Sequence, residues 1–202
     1  MSDSLSDLRD QPTVWPSQRT RVTSGVLMDF VVDEVEVPQG ESVVRNYLNH
    51  PNSVGIIAMD DRGRIAVEKQ YRHPVRALLL EAPAGLVDPE DTDLESTARR
   101  ELAEELALSA NSWRILADTY ATPGSSTQLT RIFLAQELKE IPRPPGFLLE
   151  AEEAHMEVGW AEIDDLLDGI FTGVIKNPTL VVGVLALRTA MATQGLDNLR
   201  VS

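Results

Sequence analysis

The sequence contains no cysteine among its 202 residues. Disulfide bonds, cysteine-ligated zinc and thiol catalysis are therefore excluded. Positive charge is also scarce, since 18 Lys and Arg residues face 32 Asp and Glu residues, which gives a net charge of −14. Non-specific binding to nucleic acid or to an anionic membrane surface is not expected, because both partners are negatively charged themselves.

Long apolar runs are missing as well. No stretch approaches the roughly 18 apolar residues that a membrane-spanning helix needs. The polar, acidic start of the chain lacks the basic and apolar regions of a signal peptide. We therefore expect a cytoplasmic protein. The length and the 43% hydrophobic content suffice for one sizeable α/β domain with an added piece, or for two small domains.

One acidic helix is clearly marked near the middle of the chain. Thr92, with Glu95 three residues later, fits a capping box and predicts the start of the helix. The next turns lack Gly and Pro. An apolar residue recurs at every fourth position, which predicts one apolar stripe: Leu94, Ala98, Leu102 and Leu106.

Three glutamates of this helix, Glu101, Glu104 and Glu105, border the apolar stripe. Like charges at helical spacing repel, and carboxylates at the edge of a core are costly unless they are paired or bound to metal. Arg100 can pair with one of them but cannot neutralise three. A hard divalent cation such as Mg²⁺ binds carboxylate oxygens well. The alternative is a solvated, Glu-rich helix with ordinary Arg–Glu pairs.

The residues before the helix favour the metal site. Ala84 and Gly85 end a strand-like run, and a glycine permits a positive φ or a close approach of the backbone to a ligand. Gly85, followed by Arg100 and the three glutamates, resembles the signature box of the Nudix hydrolases.

Two positions depart from that box. Counting back from Arg100, its first Glu falls on Thr92, and its usual Gly is Ala107. The spacer that follows Gly85 is also one residue longer than usual. Glu90 or Asp91 could replace the missing Glu.

Motifs on both sides of the box resemble the ADP-ribose pyrophosphatase branch of the family. Residues 70–72, Gln-Tyr-Arg, match a Gln-aromatic-Arg motif, and Glu81 matches the Glu that stands two residues before Pro-Ala-Gly. Pro123 lies in a Pro-Gly turn at the offset that marks this branch. An acidic residue often follows that turn, whereas this chain has Gln128.

The resemblance covers roughly residues 20–195 and implies the α/β Nudix fold, a mixed β-sheet sandwiched between helices. It implies a cofactor, Mg²⁺ or alternatively Mn²⁺, held by the carbonyl of Ala84 and the carboxylates of Glu101, Glu104 and Glu105. The expected substrate-binding residues are Arg72, Glu81, Gly85, Pro123 and Gln128. The family takes its general base from the loop before the strand at Met156, where Glu152 is our first candidate and Glu153 the second.

The chain divides into three parts by composition. We expect a flexible tail over residues 1–18, a small antiparallel β-sheet region over 19–50 and the Nudix hydrolase domain over 51–202. Within that domain, residues 53–72 predict a β-hairpin, and Asn177 before Pro178 predicts a helix start. A short sheet is marginal alone, so we expect a homodimer in which residues 20–48 pack against the partner and help to line its site.

The expected reaction is Mg²⁺-dependent hydrolysis of ADP-ribose, a nucleoside diphosphate sugar, to AMP and ribose 5-phosphate. Two alternatives stay open. The first is another Nudix substrate, such as a different nucleotide sugar or a dinucleoside polyphosphate. The second is a Nudix-fold protein that binds a ligand without turnover, which the departures at Thr92, Ala107 and Gln128 would suit.

Overall fold

The computed structural model describes residues 10, 12–146 and 156–201 of the chain. The chain forms two compact units. The first reaches to His50 and includes residues 124–126, and the second comprises residues 51–123 and those from Thr127 onward.

The first unit is a three-stranded antiparallel sheet in the order β1-β2-β3, as the sequence predicted. Its strands are β1 (Ser17–Ser24), β2 (Asp29–Glu36) and β3 (Ser42–Asn49). The turn between β2 and β3 contains Gly40 at a φ of 83°, a conformation that glycine adopts without steric cost. In these strands only Val31 and Asp33 are buried, so the sheet has almost no core of its own.

The second unit contains two further sheets. Its strands are β4 (Ser53–Ala58), β5 (Ile65–Arg72), β6 (Ala77–Glu81), β7 (Ala84–Leu86), β8 (Leu108–Thr119), β9 (Thr130–Glu140) and β10 (Glu157–Ala161). One sheet has the order β7-β4-β9-β8 and the other the order β10-β5-β6. Strands β4 and β9 run parallel, whereas all other pairs are antiparallel, so the larger sheet is mixed.

The predicted hairpin over residues 53–72 is wrong. After the single bridge between Met59 and Ile65, strands β4 and β5 enter different sheets. Both edges of β4 are occupied, by β7 and β9, so β5 cannot pair along it. The turn itself forms, because the carboxylate of Asp60 accepts hydrogen bonds from the main-chain N–H groups of Arg62 and Arg64.

Three α-helices complete the described part of this unit: α1 (Leu94–Leu106), α2 (Ile163–Phe171) and α3 (Pro178–Thr193). Neighbouring side chains of β4 point to opposite faces of the sheet, as strand geometry requires. Ile56 is buried in one core cluster with Leu102 of α1, and Ile57 is buried in another with Leu187 of α3. The predicted mixed sheet between helices is confirmed.

The sequence located α1 correctly but misplaced its first turn. Asp93, and not Thr92, caps the helix: its carboxylate accepts the N–H of Ser96 at 2.7 Å, and the hydroxyl of Ser96 accepts the N–H of Asp93 at 3.2 Å. This is a capping box in which Ser96 takes the place predicted for Glu95. The helix therefore starts one residue later than predicted, and Glu95 pairs with Arg99.

The start of α3 is the one that the sequence predicted. The side chain of Asn177 accepts the N–H of Leu180 at 2.9 Å, and Pro178 follows the cap. None of the helices in the described part of the chain has the length and hydrophobicity that crossing a bilayer requires.

Ala107 caps the C-terminus of helix α1. It adopts the left-handed conformation, at a φ of 53° and a ψ of 41°. A Cβ atom makes this conformation unfavourable by roughly 1–2 kcal/mol, and glycine has no Cβ. We expect Ala107→Gly to raise the free energy of unfolding by up to about 1 kcal/mol, after the larger entropy that glycine loses on folding is subtracted. Urea denaturation checks this, with Ala103→Gly, inside the same helix, as the destabilising control. A clear loss of stability in Ala107→Gly would show that the left-handed conformation of Ala107 is not strained.

Candidate active site

The candidate site forms where α1 crosses the short strand β7. Gly85 lies in β7, and a Cβ atom at this position would overlap the carboxylate of Glu101. The glycine is needed for this close approach and not for a positive φ. A larger residue would force the side chain of Glu101 to move, so the glycine of the box leaves room for this carboxylate beside the strand.

Glu105 is also held against the start of β7, by a hydrogen bond from the main chain. Only 6% of its surface is exposed, and its Oε2 accepts a hydrogen bond of 3.1 Å from the main-chain N–H of Ala84. The side chains of Glu101 and Glu104 are 12% and 17% exposed. The three predicted carboxylates therefore lie at the edge of the core, as the helical spacing indicated, and beside Ala84 and Gly85.

Arg100 binds more acidic groups than the sequence suggested. Its Nη1 contacts Glu101 Oε1 at 2.8 Å and Glu104 Oε2 at 3.1 Å. Its Nη2 reaches the carboxylate of Asp91 at 3.1 Å and the carbonyl oxygen of Leu86, also at 3.1 Å. Burial alone would lower the pKa of Arg100, but the acidic neighbours outweigh burial and raise the pKa above its ordinary value. This guanidinium therefore ties the loop after β7 to the helix.

Asp91 replaces the missing first Glu of the box. Its side chain is 10% exposed and also accepts the hydroxyl of Thr97 at 2.8 Å and the N–H of Asp88 at 2.9 Å. The hydrogen bond from Arg100 lowers the pKa of Asp91 below its usual 3.8, although burial acts in the opposite direction. Glu90, the other candidate, is exposed.

A second charged group lies on β5 and β6. The guanidinium of Arg72 forms a two-pronged ion pair with Glu81, with Nη2–Oε2 at 2.8 Å and Nε–Oε1 at 3.1 Å. Glu81 is 1% exposed, whereas the side chain of Arg72 is 43% exposed. The bond to Glu81 raises the pKa of Arg72, and the charges of Glu68 and Glu105 raise it further. The negative charge of Glu105, on α1, thus acts on the guanidinium of Arg72.

Sequence reasoning missed Glu68. This residue is 1% exposed and stands directly opposite Glu81 in the pairing of β5 with β6. Glu68, Gln70 and Arg72 alternate along β5 and therefore point to one face of the strand. That period of two was present in the sequence and could have identified Glu68 as a neighbour of Arg72.

Of the remaining predicted residues, the structure describes Pro123 and Gln128. Pro123 is exposed. The Nε2 of Gln128 donates a hydrogen bond of 3.1 Å to the carbonyl oxygen of Pro51, a bond that a carboxylate could not make. Glu152 and Glu153 lie outside the described residues, so their role stays a prediction.

Comparison with known proteins identifies the family. The model of the NUDIX domain matches residues 49–178, which is more than half of the chain. The chain belongs to the Nudix family. The resemblance on which the sequence prediction rested is therefore confirmed.

Two curated relatives extend beyond the matched domain. The chain is 38% identical to an ADP-ribose pyrophosphatase of Mycobacterium tuberculosis over 164 residues, which cover 81% of this chain and 78% of that protein. It is 27% identical to a protein of Bacillus methanolicus named methanol dehydrogenase activator, over 91% of this chain and 96% of that protein.

A solved structure supports the fold. The crystal structure of an ADP compounds hydrolase superposes with a TM-score of 0.74 and covers 92% of this chain and 99% of its own. Its sequence is only 19% identical. This similarity therefore concerns the Nudix fold and not the substrate.

Asp91 should contribute to stability at neutral pH through Arg100. Because the pKa of Asp91 is lower in the folded state, its contribution is complete above the unfolded value near 3.8 and is lost as the pH falls through the lower folded value. We expect Asp91→Asn to reduce the free energy of unfolding at pH 7 by about 1–3 kcal/mol, with a difference that shrinks towards pH 3. Denaturant unfolding across this range measures it.

Asp88→Asn is the matched control for this test. Asp88 also contacts Arg100, at 3.2 Å, but its side chain is 60% exposed, so solvent weakens the pair. Equal effects of the two variants at pH 7 would contradict the special position of Asp91.

Proposed function

We propose that this chain is a pyrophosphohydrolase that splits ADP-ribose into AMP and ribose 5-phosphate with the help of Mg²⁺. The observation that carries the proposal is the close approach of α1 to β7, which places Glu101 over Gly85 and Glu105 on the N–H of Ala84. The similarity to a protein named ADP-ribose pyrophosphatase supports the substrate.

The residues present fit a divalent cation. In the described part of the chain no three carboxylate or imidazole groups converge on one point. Mg²⁺ does not need three, because it usually binds one or two carboxylates and keeps several waters. Glu101 and Glu105, with the carbonyl of Ala84 and Glu104 as a further candidate, would hold it, and Mn²⁺ is the alternative ion. Bound Mg²⁺ polarises phosphoryl oxygens and lowers the pKa of an attacking water.

The protein groups have separate tasks in this proposal. Arg72 is the cation suited to a diphosphate, because a planar guanidinium can donate to two oxygens at once. Glu81 accepts from its Nε and Nη2 and holds the group in place, which leaves the edge formed by Nη1 and Nη2 for the diphosphate. We assign to Glu152, or else to Glu153, the removal of a proton from the attacking water. Gly85 leaves room beside β7 for the carboxylate of Glu101, and we assign Pro123 and Gln128 to the binding of the substrate.

Two alternative functions stay open. Another nucleotide sugar or a dinucleoside polyphosphate would use the same carboxylates and Arg72. A regulatory protein that binds such a ligand without turnover is the second candidate, and the departures at Thr92, Ala107 and Gln128 are its motive. A cytoplasmic location stays a prediction from the sequence.

Turnover of ADP-ribose with Mg²⁺, measured as AMP release, tests the proposal. We expect turnover by the unaltered chain and a loss of more than about 100-fold in Glu105→Gln, because a direct ligand should matter more than the outer partners of a metal site. Glu95→Gln is the matched control, since it makes the same change on the same helix at a residue that pairs with Arg99.

A panel of nucleotide sugars and dinucleoside polyphosphates separates the alternatives. Turnover of another compound alone would keep the carboxylate site and change the substrate. Binding of ADP-ribose by calorimetry, without turnover of any compound, would identify a ligand-binding protein and contradict the enzyme.

We also propose that the chain forms a homodimer through residues 20–48. All eight residues of β1 are exposed, and Phe30, Val44 and Leu48 leave 39%, 61% and 37% of their surfaces uncovered. A three-stranded sheet that buries so little has marginal stability. A second copy of the chain is the partner that the apolar side chains of this sheet suit best.

Light scattering coupled to gel filtration tests the dimer. At micromolar concentration we expect twice the 22.3 kDa of one chain. Replacement of the exposed Phe30 by Glu should shift the mass towards one chain if the sheet carries the contact. A monomeric mass of the unaltered protein would rule the dimer out.

A further inference from the structure

The C-terminus of helix α1 carries an excess of negative charge. The last carbonyl groups of a helix have no intrahelical partner, and the end carries a partial negative charge. Glu104 and Glu105 add two further negative charges to this last turn, and the turn contains no basic residue. A cation from another part of the chain is therefore expected at this end of the helix.

Arg143 supplies this cation. Its Nε donates to the carbonyl oxygen of Glu104 and its Nη2 to that of Glu105, both at 2.9 Å. One planar guanidinium thus binds two successive carbonyl groups, which lysine could not do with comparable rigidity. Two residues earlier, the N–H of Ile141 donates to the carbonyl oxygen of Ala107 at 2.9 Å. Three hydrogen bonds therefore attach the segment after β9 to the end of α1.

The bound carbonyl groups belong to the residues whose carboxylates form the candidate metal site. Glu105 is consequently fixed at both ends, its carboxylate by the N–H of Ala84 and its main chain by Arg143. Fixing these peptide groups fixes the direction of each Cα–Cβ bond in the turn. Neither of these bonds from Arg143 engages a carboxylate, so Arg143 acts on the main chain of the glutamates and not on their carboxylate oxygens.

We propose that Arg143 is a positioning residue for the metal site, which it orients by holding the main chain of Glu104 and Glu105. The inference rests on the proposed function, because it requires that Glu105 holds a divalent cation. Arg143 acts through the glutamates and touches neither the substrate nor the cation in this scheme.

Direct binding of Mn²⁺ to the full chain, measured by electron paramagnetic resonance without substrate, tests the role. We expect Arg143→Ala to weaken Mn²⁺ binding about tenfold, as the loss of an outer partner of a metal site usually does. Arg143→Lys should recover part of the affinity, since it keeps the charge but not the fork. In turnover assays kcat should fall while KM for ADP-ribose changes little.

Arg99→Ala is the matched control. Arg99 lies on α1 itself. Like Arg143, it donates to a main-chain carbonyl oxygen, that of Ala110, at 3.1 Å, but it does not contact the glutamate turn. We expect this variant to lose stability and to bind Mn²⁺ like the unaltered chain.

The possible outcomes separate three explanations. A folded Arg143→Ala that binds Mn²⁺ unchanged would show a purely structural role and overturn the inference. Tighter binding would overturn it too, because it would mean that the positive charge of Arg143 merely repels the cation. If Arg143→Ala does not fold, the same comparison is made with Arg143→Lys. Failure of the unaltered chain to bind Mn²⁺ would overturn the metal site itself.

Discussion

The guanidinium group of Arg100 is the contact on which the rest of the site depends. It joins Asp91, in the loop after β7, to Glu101 and Glu104 on α1. Without this cation, the carboxylates would face one another across a partly buried space, where charge repulsion is poorly screened. Because the planar fork binds several oxygens in fixed directions, it also sets where the loop lies against the helix.

The two ends of α1 are fixed by different means, and both affect the glutamates. Asp93 and Ser96 close the first turn with reciprocal hydrogen bonds. At the other end Ala107 adopts a strained conformation, and Arg143 binds the last carbonyl groups. Of these contacts, only the bonds from Arg143 join the helix to another segment, so the C-terminal end cannot shift without losing them. A site built from adjacent turns of one helix needs that constraint.

Periodicity in the sequence predicted the features that depend on one element alone. The apolar stripe of α1 and the position of Glu105 beside it follow from helical spacing, and both are found. Features that depend on two distant segments could not be read in this way. Strand β5 leaves β4 because β9, which lies more than 60 residues later in the chain, takes that edge. The period of two along β5 places Glu68 on the face of Arg72, but only the pairing with β6 shows that Glu81 stands opposite it.

The three departures from the family pattern fall on the scaffold and leave the carboxylates of α1 in place. Asp91 takes over the contact with Arg100 that Thr92 cannot make. Ala107 adopts the conformation that a glycine would favour. Gln128 uses its amide to hold the main chain of Pro51. Three glutamates at the edge of the core add repulsion to an already acidic protein. Their presence beside Gly85 argues for a site that needs a cation.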